Sequence, residues 1–201
     1  MIRTPHALIP YILAAAALAA GILWQASENV ARLGSVHSQG IASIGGPFSL
    51  IDQSGLPRHA QDFRGRFMLV FFGYSYCPDV CPTALASMAD ALDKIDKAHR
   101  VVPIFVTIDP ERDSAKVLKV YLNAFGPRFV GLTGDAKSIA AAARAYRVYY
   151  KRHPLQGGGY AMDHSSVIYL MGPDGRFIGF YDANISADAL AAALQNQLQA
   201  I

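Results

Sequence analysis

Hydrophobic and polar positions alternate between three regimes along this chain. Residues 7–24, ALIPYILAAAALAAGILW, carry no charge at all. Residues 25–44 are polar and glycine-containing. From Gly45 onward, short apolar runs are separated by segments whose apolar residues recur every three or four positions. Phe67-Met68-Leu69-Val70-Phe71-Phe72, bounded by Gly65 and Gly73, reads as a strand buried on both faces. Val101 to Ile108 reads the same way, with Pro103 as an objection, because proline cannot donate to a sheet ladder. Between them, Leu85, Met88, Ala89, Leu92 and Ile95 fall on one helical face.

The remaining elements follow from turn and cap chemistry. Phe48 to Asp52 predicts a short strand ending in a turn at Gly55. Asp113 predicts a helix cap, with the helix running to Ala124 and stopping at Gly126-Pro127. Phe129 to Leu132 predicts a strand, and Asp135 to Tyr146 an alanine-rich helix. Ser165 to Met171 and Arg176 to Tyr181 flank Gly172-Pro173-Asp174-Gly175, a hairpin signal. Ser186 caps a last helix to Gln199. The order β-α-β-α-β-α-β-β-α implies an α/β domain, a central mixed sheet flanked by helices in a thioredoxin-like sandwich.

The charge-free opening segment predicts a transmembrane helix over residues 7–24. Its 18 residues are at the lower end of what spans a bilayer. Arg3 precedes it and Trp24 closes it, where an indole favours the interface. The expected layout is a cytoplasmic N-terminus at 1–6, the anchor at 7–24, a tether at 25–44 and a domain at 45–201 across the membrane. A cleavable signal peptide is the rival. The bulky Ile22-Leu23-Trp24 end favours retention.

Composition narrows the function. Of 201 residues, 16% are charged, and the net charge is +3 with no Lys/Arg block, which gives nucleic acid no footprint. There are two cysteines, four positions apart. They sit in Tyr74-Ser75-Tyr76-Cys77-Pro78-Asp79-Val80-Cys81-Pro82, between the first buried strand and the first long helix, where open α/β sheets carry functional groups. Pro82 suits the first helical position. That places Cys81 near the N-cap, where the helix dipole lowers a thiol's pKa. Residues four apart on a helical turn have Cβ atoms about 5–6 Å apart, so the two sulfurs can hold one metal ion or close a disulfide. Soft thiolates select copper(I), zinc or iron–sulfur clusters. Two sulfurs leave a zinc site incomplete, which makes copper the first choice.

A third ligand has to come from elsewhere. The histidines considered are His59, His99, His153 and His164. His153 lies beside Lys151 and Arg152, and His99 ends a helix. His164 opens an apolar strand after the loop Gln156-Gly157-Gly158-Gly159-Tyr160, whose glycines let the loop move. Asp109 could orient His164 or tune the thiolates, or it could simply end a strand. Tyr74 and Tyr76 could shield the site or pack the core. Met162 reads as core filling.

Taken together, Cys77-Pro-Asp-Val-Cys81-Pro82, Asp109-Pro110-Glu111-Arg112-Asp113 and Asp163-His164-Ser165 resemble the Sco/SenC family over roughly Gly45 to Gln199. The resemblance implies a thioredoxin-like fold and one copper, as Cu(I) or Cu(II), held by Cys77, Cys81 and His164. It implies a metallochaperone role in assembling the dinuclear copper centre of cytochrome c oxidase. The expected partners are oxidase subunit II and a periplasmic copper donor or thiol reductant. The domain is expected in the periplasm on a single-pass inner-membrane anchor, or equivalently in the mitochondrial intermembrane space. A thiol–disulfide oxidoreductase acting on the target's cysteines is the alternative. A thiol peroxidase ranks last, because no Thr-x-x-Cys precedes Cys77.

Overall fold

The computed structural model describes residues 44–95 and 98–199. The expected membrane span at 7–24 and nearly all of the tether lie outside them. Among the described residues no helix is long and apolar enough to cross a membrane.

The two runs read as buried strands form the centre of the sheet. Strand β3 (Phe67–Gly73) and strand β4 (Val101–Thr107) are buried at every position and pair in parallel from Phe67↔Val101 to Gly73↔Thr107. Pro103 is tolerated because it lies one residue before β4 meets β5 (Val130–Thr133). The β4–β5 register begins at Ile104↔Val130, so at Pro103 the strand has a neighbour on one side only. Beyond β5 come β1 (Ser49–Asp52) and β2 (Pro57–His59), both antiparallel. On the other side of β3 lie β8 (Val167–Met171) and β9 (Phe177–Asp182), joined by the expected turn at Gly172–Gly175. The order β2-β1-β5-β4-β3-β8-β9 is a mixed sheet.

Among the described residues, four α-helices accompany it. Helix α1 (Val80–Asp93) buries Cys81, Ala84, Leu85, Met88, Ala91 and Leu92, and packs against α4 (Ala187–Gln199). Helix α2 (Ala115–Asn123) lies on β5, and α3 (Ala136–Ala145) is capped by Asp135, which accepts from Ser138 N–H at 2.6 Å.

Three expectations need correction. The cap of α2 is Ser114, whose hydroxyl accepts from Val117 N–H, and not Asp113. Asp113 is fully buried and does other work, described below. The segment read as a mobile glycine loop is the tip of a β-hairpin, β6 (Tyr150–Pro154) and β7 (Tyr160–His164), which forms its own two-stranded sheet. Gly157, Gly158 and Gly159 all have positive φ, a backbone that a tight hairpin tip requires and that side chains resist. Consequently His164 ends β7 and does not open β8, which starts at Val167. Strand β2 had no sequence signal: its three residues, Pro57-Arg58-His59, show no alternation.

Candidate metal centre

The site forms where β3 ends and α1 begins. Cys77 Sγ, Cys81 Sγ and a ring nitrogen of His164 all lie within 4.8 Å of one another. Among the described residues this is the one group of three or more His, Cys, Asp or Glu side chains close enough to share a metal ion. Both cysteines are free thiols, Cys77 partly exposed and Cys81 buried. His59 and His99 are exposed elsewhere, and His153 Nε2 pairs with Asp163 at 2.6 Å.

The close approach of β3 to α1 depends on a missing side chain. A Cβ on Gly73 would stand 2.7 Å from Cys81 Sγ and 3.0 Å from the Phe105 ring. Glycine at the last position of β3 therefore lets the buried sulfur sit against the strand end. Tyr74 follows, buried, with its ring edge-on to His164 at 6.0 Å between centroids. The next turn is pinned by Asp113. Its carboxylate accepts from Ser75 N–H at 3.0 Å, Ser75 Oγ at 2.5 Å and Thr107 Oγ1 at 2.6 Å. A fully buried carboxylate is costly unless its oxygens are filled, and these three donors fill them.

The helix N-terminus is used differently from the expectation. Asp79 occupies the N-cap of α1 and makes no side-chain cap bond. Cys77 Sγ takes that place, accepting from Cys81 N–H at 3.4 Å. The helix dipole therefore favours a thiolate at Cys77, not at Cys81. The Cys77 thiol is pushed down to about 3. The Cys81 thiol, which donates to it, is the largest cause. Burial opposes the shift, while His164 and the backbone N–H groups of Asp79 and Cys81 reinforce it. Cys81 moves up, because its proton bridges to Cys77 and because it is buried beside that negative charge. The pair thus favours negative charge on the outer sulfur and a proton on the inner one.

His164 completes the cluster. Its Nε2 is 3.4 Å from Cys81 Sγ, and its Nδ1 is 3.1 Å from the carbonyl of Ser165. A carbonyl can only accept, so Nδ1 carries a hydrogen and Nε2 is the nitrogen that faces the sulfurs. Fixing the far nitrogen of an imidazole in this way is how metal-ligating histidines are oriented. Edge contacts from Phe71 at 5.9 Å and Tyr74 hold the ring. Asp109 makes no hydrogen bond to His164. It is buried, accepts from Tyr160 OH at 2.8 Å and pairs with Arg112 Nε.

Two cysteine sulfurs and one imidazole, convergent and partly buried, make a soft donor set that suits copper. The domain is thus a thioredoxin-like fold with a Cys-Cys-His metal-ligand cluster at its functional strand–helix turn. The SCO1/SenC family model matches residues 36–199. The chain belongs to the SCO1/SenC family. It is 36% identical over 189 residues to the protein SCO1 homolog, mitochondrial, of Homo sapiens, covering 91% of this chain and 63% of that one. It is 40% identical over 164 residues to the protein SCO1 homolog 1, mitochondrial, of Arabidopsis thaliana, covering 81% of this chain and 49% of that one. The chain therefore spans about half to two thirds of the length of these relatives. Two solved structures are also similar. Arabidopsis thaliana ScoI with copper bound gives a TM-score of 0.75 at 38% identity, covering 79% of this chain and all of that one. Bradyrhizobium japonicum ScoI with copper bound gives 0.72 at 43%, covering 77% and 99%.

Signals for the supporting residues were weak in the sequence. Gly73 appeared there as a strand boundary, and Asp113 as a cap. Nothing in the spacing of Ser75, Arg112 or Tyr160 pointed to the site. Tyr76, expected as a shield or core residue, is 65% exposed and stacks against Arg112, with the guanidinium carbon 4.8 Å from the ring centroid.

Proposed function

We propose that this chain is a copper-binding metallochaperone, holding one copper through Cys77, Cys81 and His164. Its role is in assembling the dinuclear copper centre of cytochrome c oxidase subunit II. The observation that carries this reading is the convergence of the three ligand atoms within 4.8 Å. Membership of a family whose solved members include copper-bound forms supports it.

Copper is cargo here, and the residues divide the handling. Cys77 is partly exposed and its thiol is held well below the ordinary value, so it is the atom an incoming or departing ion meets first. Cys81 is the inner ligand, held against Gly73. His164 arrives on a hairpin separate from the main sheet, so the imidazole can part from the sulfurs without disturbing that sheet. Two thiolates suffice for Cu(I), and the imidazole extends the site to Cu(II). The charge-free stretch at 7–24 supports a single-pass anchor. On this reading the domain lies in the periplasm or its equivalent, the intermembrane space, within reach of subunit II and of a copper donor or thiol reductant.

One observation favours a second reading, reduction of the target's cysteines. A partly exposed cysteine with a lowered pKa, backed by a buried one, is the arrangement for attacking a disulfide and resolving the mixed intermediate. Copper titration of the reduced, detergent-solubilised chain separates the two. Metallochaperone action predicts one copper per chain. Its sulfur-to-Cu(II) charge-transfer band should require both cysteines, and His164→Ala should weaken Cu(II) binding about 10–100-fold. An unchanged band and affinity in His164→Ala would remove the imidazole from the ligand set. No band, with rapid dithiol exchange that ignores His164, would establish the reductase.

A further inference from the structure

The hairpin that brings in His164 belongs to neither edge of the main sheet, so something must hold it in place. Along β7 the residues Tyr160, Met162 and His164 share a face, two positions apart, and Met162 is buried. His164 is tied at the base of the hairpin, where Ser165 N–H donates to Tyr149 carbonyl at 2.9 Å. At the other end of β7 stands Tyr160, and there the structure places Arg112.

Arg112 touches every part that must stay together. Its Nε pairs with the buried carboxylate of Asp109, which fixes it to the end of β4. Its Nη1 donates to the Tyr160 carbonyl at 3.0 Å. Its guanidinium carbon lies 3.8 Å from the Tyr160 ring centroid, 4.8 Å from Tyr76 and 5.7 Å from Tyr74. Tyr74 and Tyr76 flank Ser75 on the loop that delivers Cys77. Tyr160 OH donates to Asp109 at 2.8 Å and closes the arrangement. Arg112 Nη2 is buried without a hydrogen-bond partner. Leaving that one guanidinium nitrogen unpaired is costly, so stacking on the rings acts beside the bonds to Asp109 and the Tyr160 carbonyl in setting the position of this side chain. Arg152 also reaches Tyr160, at 3.9 Å, but it is about half exposed and tied to exposed Glu111, so solvent screens it.

We propose that Arg112 is a positioning residue for the metal centre: a planar clamp stacked between the cysteine loop and β7 that sets the distance from His164 to the two sulfurs. The inference rests on the proposed copper site, yet the clamp itself can be read without metal. A planar cation is needed, because lysine offers neither a face to stack on the rings nor a fork that spans Asp109 and the Tyr160 carbonyl.

The test compares the full chain in detergent with Arg112→Ala, Arg112→Lys, Tyr160→Ala and Tyr160→Phe. Two readouts are used. Hydrogen exchange of the metal-free protein should show residues 150–164 opening faster in Arg112→Ala and Arg112→Lys, with β3 and β4 unchanged. Tyr160→Phe keeps the ring and should recover most of the protection lost in Tyr160→Ala. Titration with Cu(II) alone should show about tenfold weaker binding in Arg112→Ala and a reduced nitrogen coupling in the Cu(II) resonance spectrum, while one Cu(I) per chain is still held by the sulfurs. If Arg112→Ala does not fold, the Tyr160 pair reads the same clamp from the other side. Unchanged exchange in 150–164, or Arg112→Lys behaving as the parent, overturns the clamp. Failure of the parent chain to take up copper refutes the proposed function instead, and the exchange comparison still decides the clamp.

Discussion

Substituting Gly73 by alanine is the sharpest probe of how the fold builds this site. The added Cβ would stand 2.7 Å from Cys81 Sγ, 3.0 Å from Phe105 Cε2 and 3.2 Å from Phe71 Cε1. Ordinary contact begins near 3.4 Å, so the sulfur must retreat by about 0.7 Å, the difference between those two distances. Cys81 is fully buried on the first turn of α1, between Gly73 and His164, and has no open space to enter. Overpacking of this kind costs about 1–3 kcal/mol. With a urea dependence of about 2 kcal/mol per molar, a 2 kcal/mol loss moves the unfolding midpoint by about 1 M. Metal sites tolerate ligand displacements of about 0.2 Å, so copper binding should suffer more than stability does. The assay pairs urea denaturation with Cu(II) titration of Gly73→Ala. Gly179→Ala serves as control, since a Cβ there meets nothing within 4 Å. A parental midpoint together with a parental copper spectrum in Gly73→Ala would refute the claim that strand–helix contact fixes the inner sulfur.

Two further outcomes follow from the same packing. Asp113→Asn replaces one accepting oxygen by a donor facing Ser75 or Thr107, and should cost about 2 kcal/mol by chemical denaturation, with weaker copper binding because the Cys77 loop loses its anchor. At Asp52, burial works against ionisation, but Leu56 N–H, Arg58 and Ser54 N–H outweigh it and hold the carboxyl below its ordinary value. A depressed folded value stabilises above the unfolded carboxyl's pKa and is lost as pH falls through the folded one. Asp52→Asn should therefore cost about 1–2 kcal/mol at neutral pH, a gap that narrows below about pH 4 in denaturation midpoints measured across pH.

Much of the fold was legible because its signals are local. The continuous apolar runs of β3 and β4, the periodic face of α1 and the Gly172–Gly175 turn each lie within a short stretch. Where reading failed, the deciding contact was distant in sequence. Asp113 resembles a cap from its neighbours alone, yet its partners are Ser75 and Thr107. The triple glycine resembles a loop, because Tyr150–Pro154 lacks alternation and only cross-strand pairing to β7 reveals it as a strand.

The sequence by itself determined the chemistry available: two soft sulfurs four residues apart at a strand–helix turn, and an imidazole 83 positions later. Side-chain type and local spacing are carried by the chain directly. Only the tertiary structure decided how those groups share the work. Cys77, not Cys81, caps the helix and is the sulfur whose thiolate is favoured, because the turn held by Asp113 aims it at Cys81 N–H. His164 points Nε2 inward because Ser165 carbonyl claims Nδ1. Such assignments depend on which atoms meet across the fold, and spacing along a chain does not encode that.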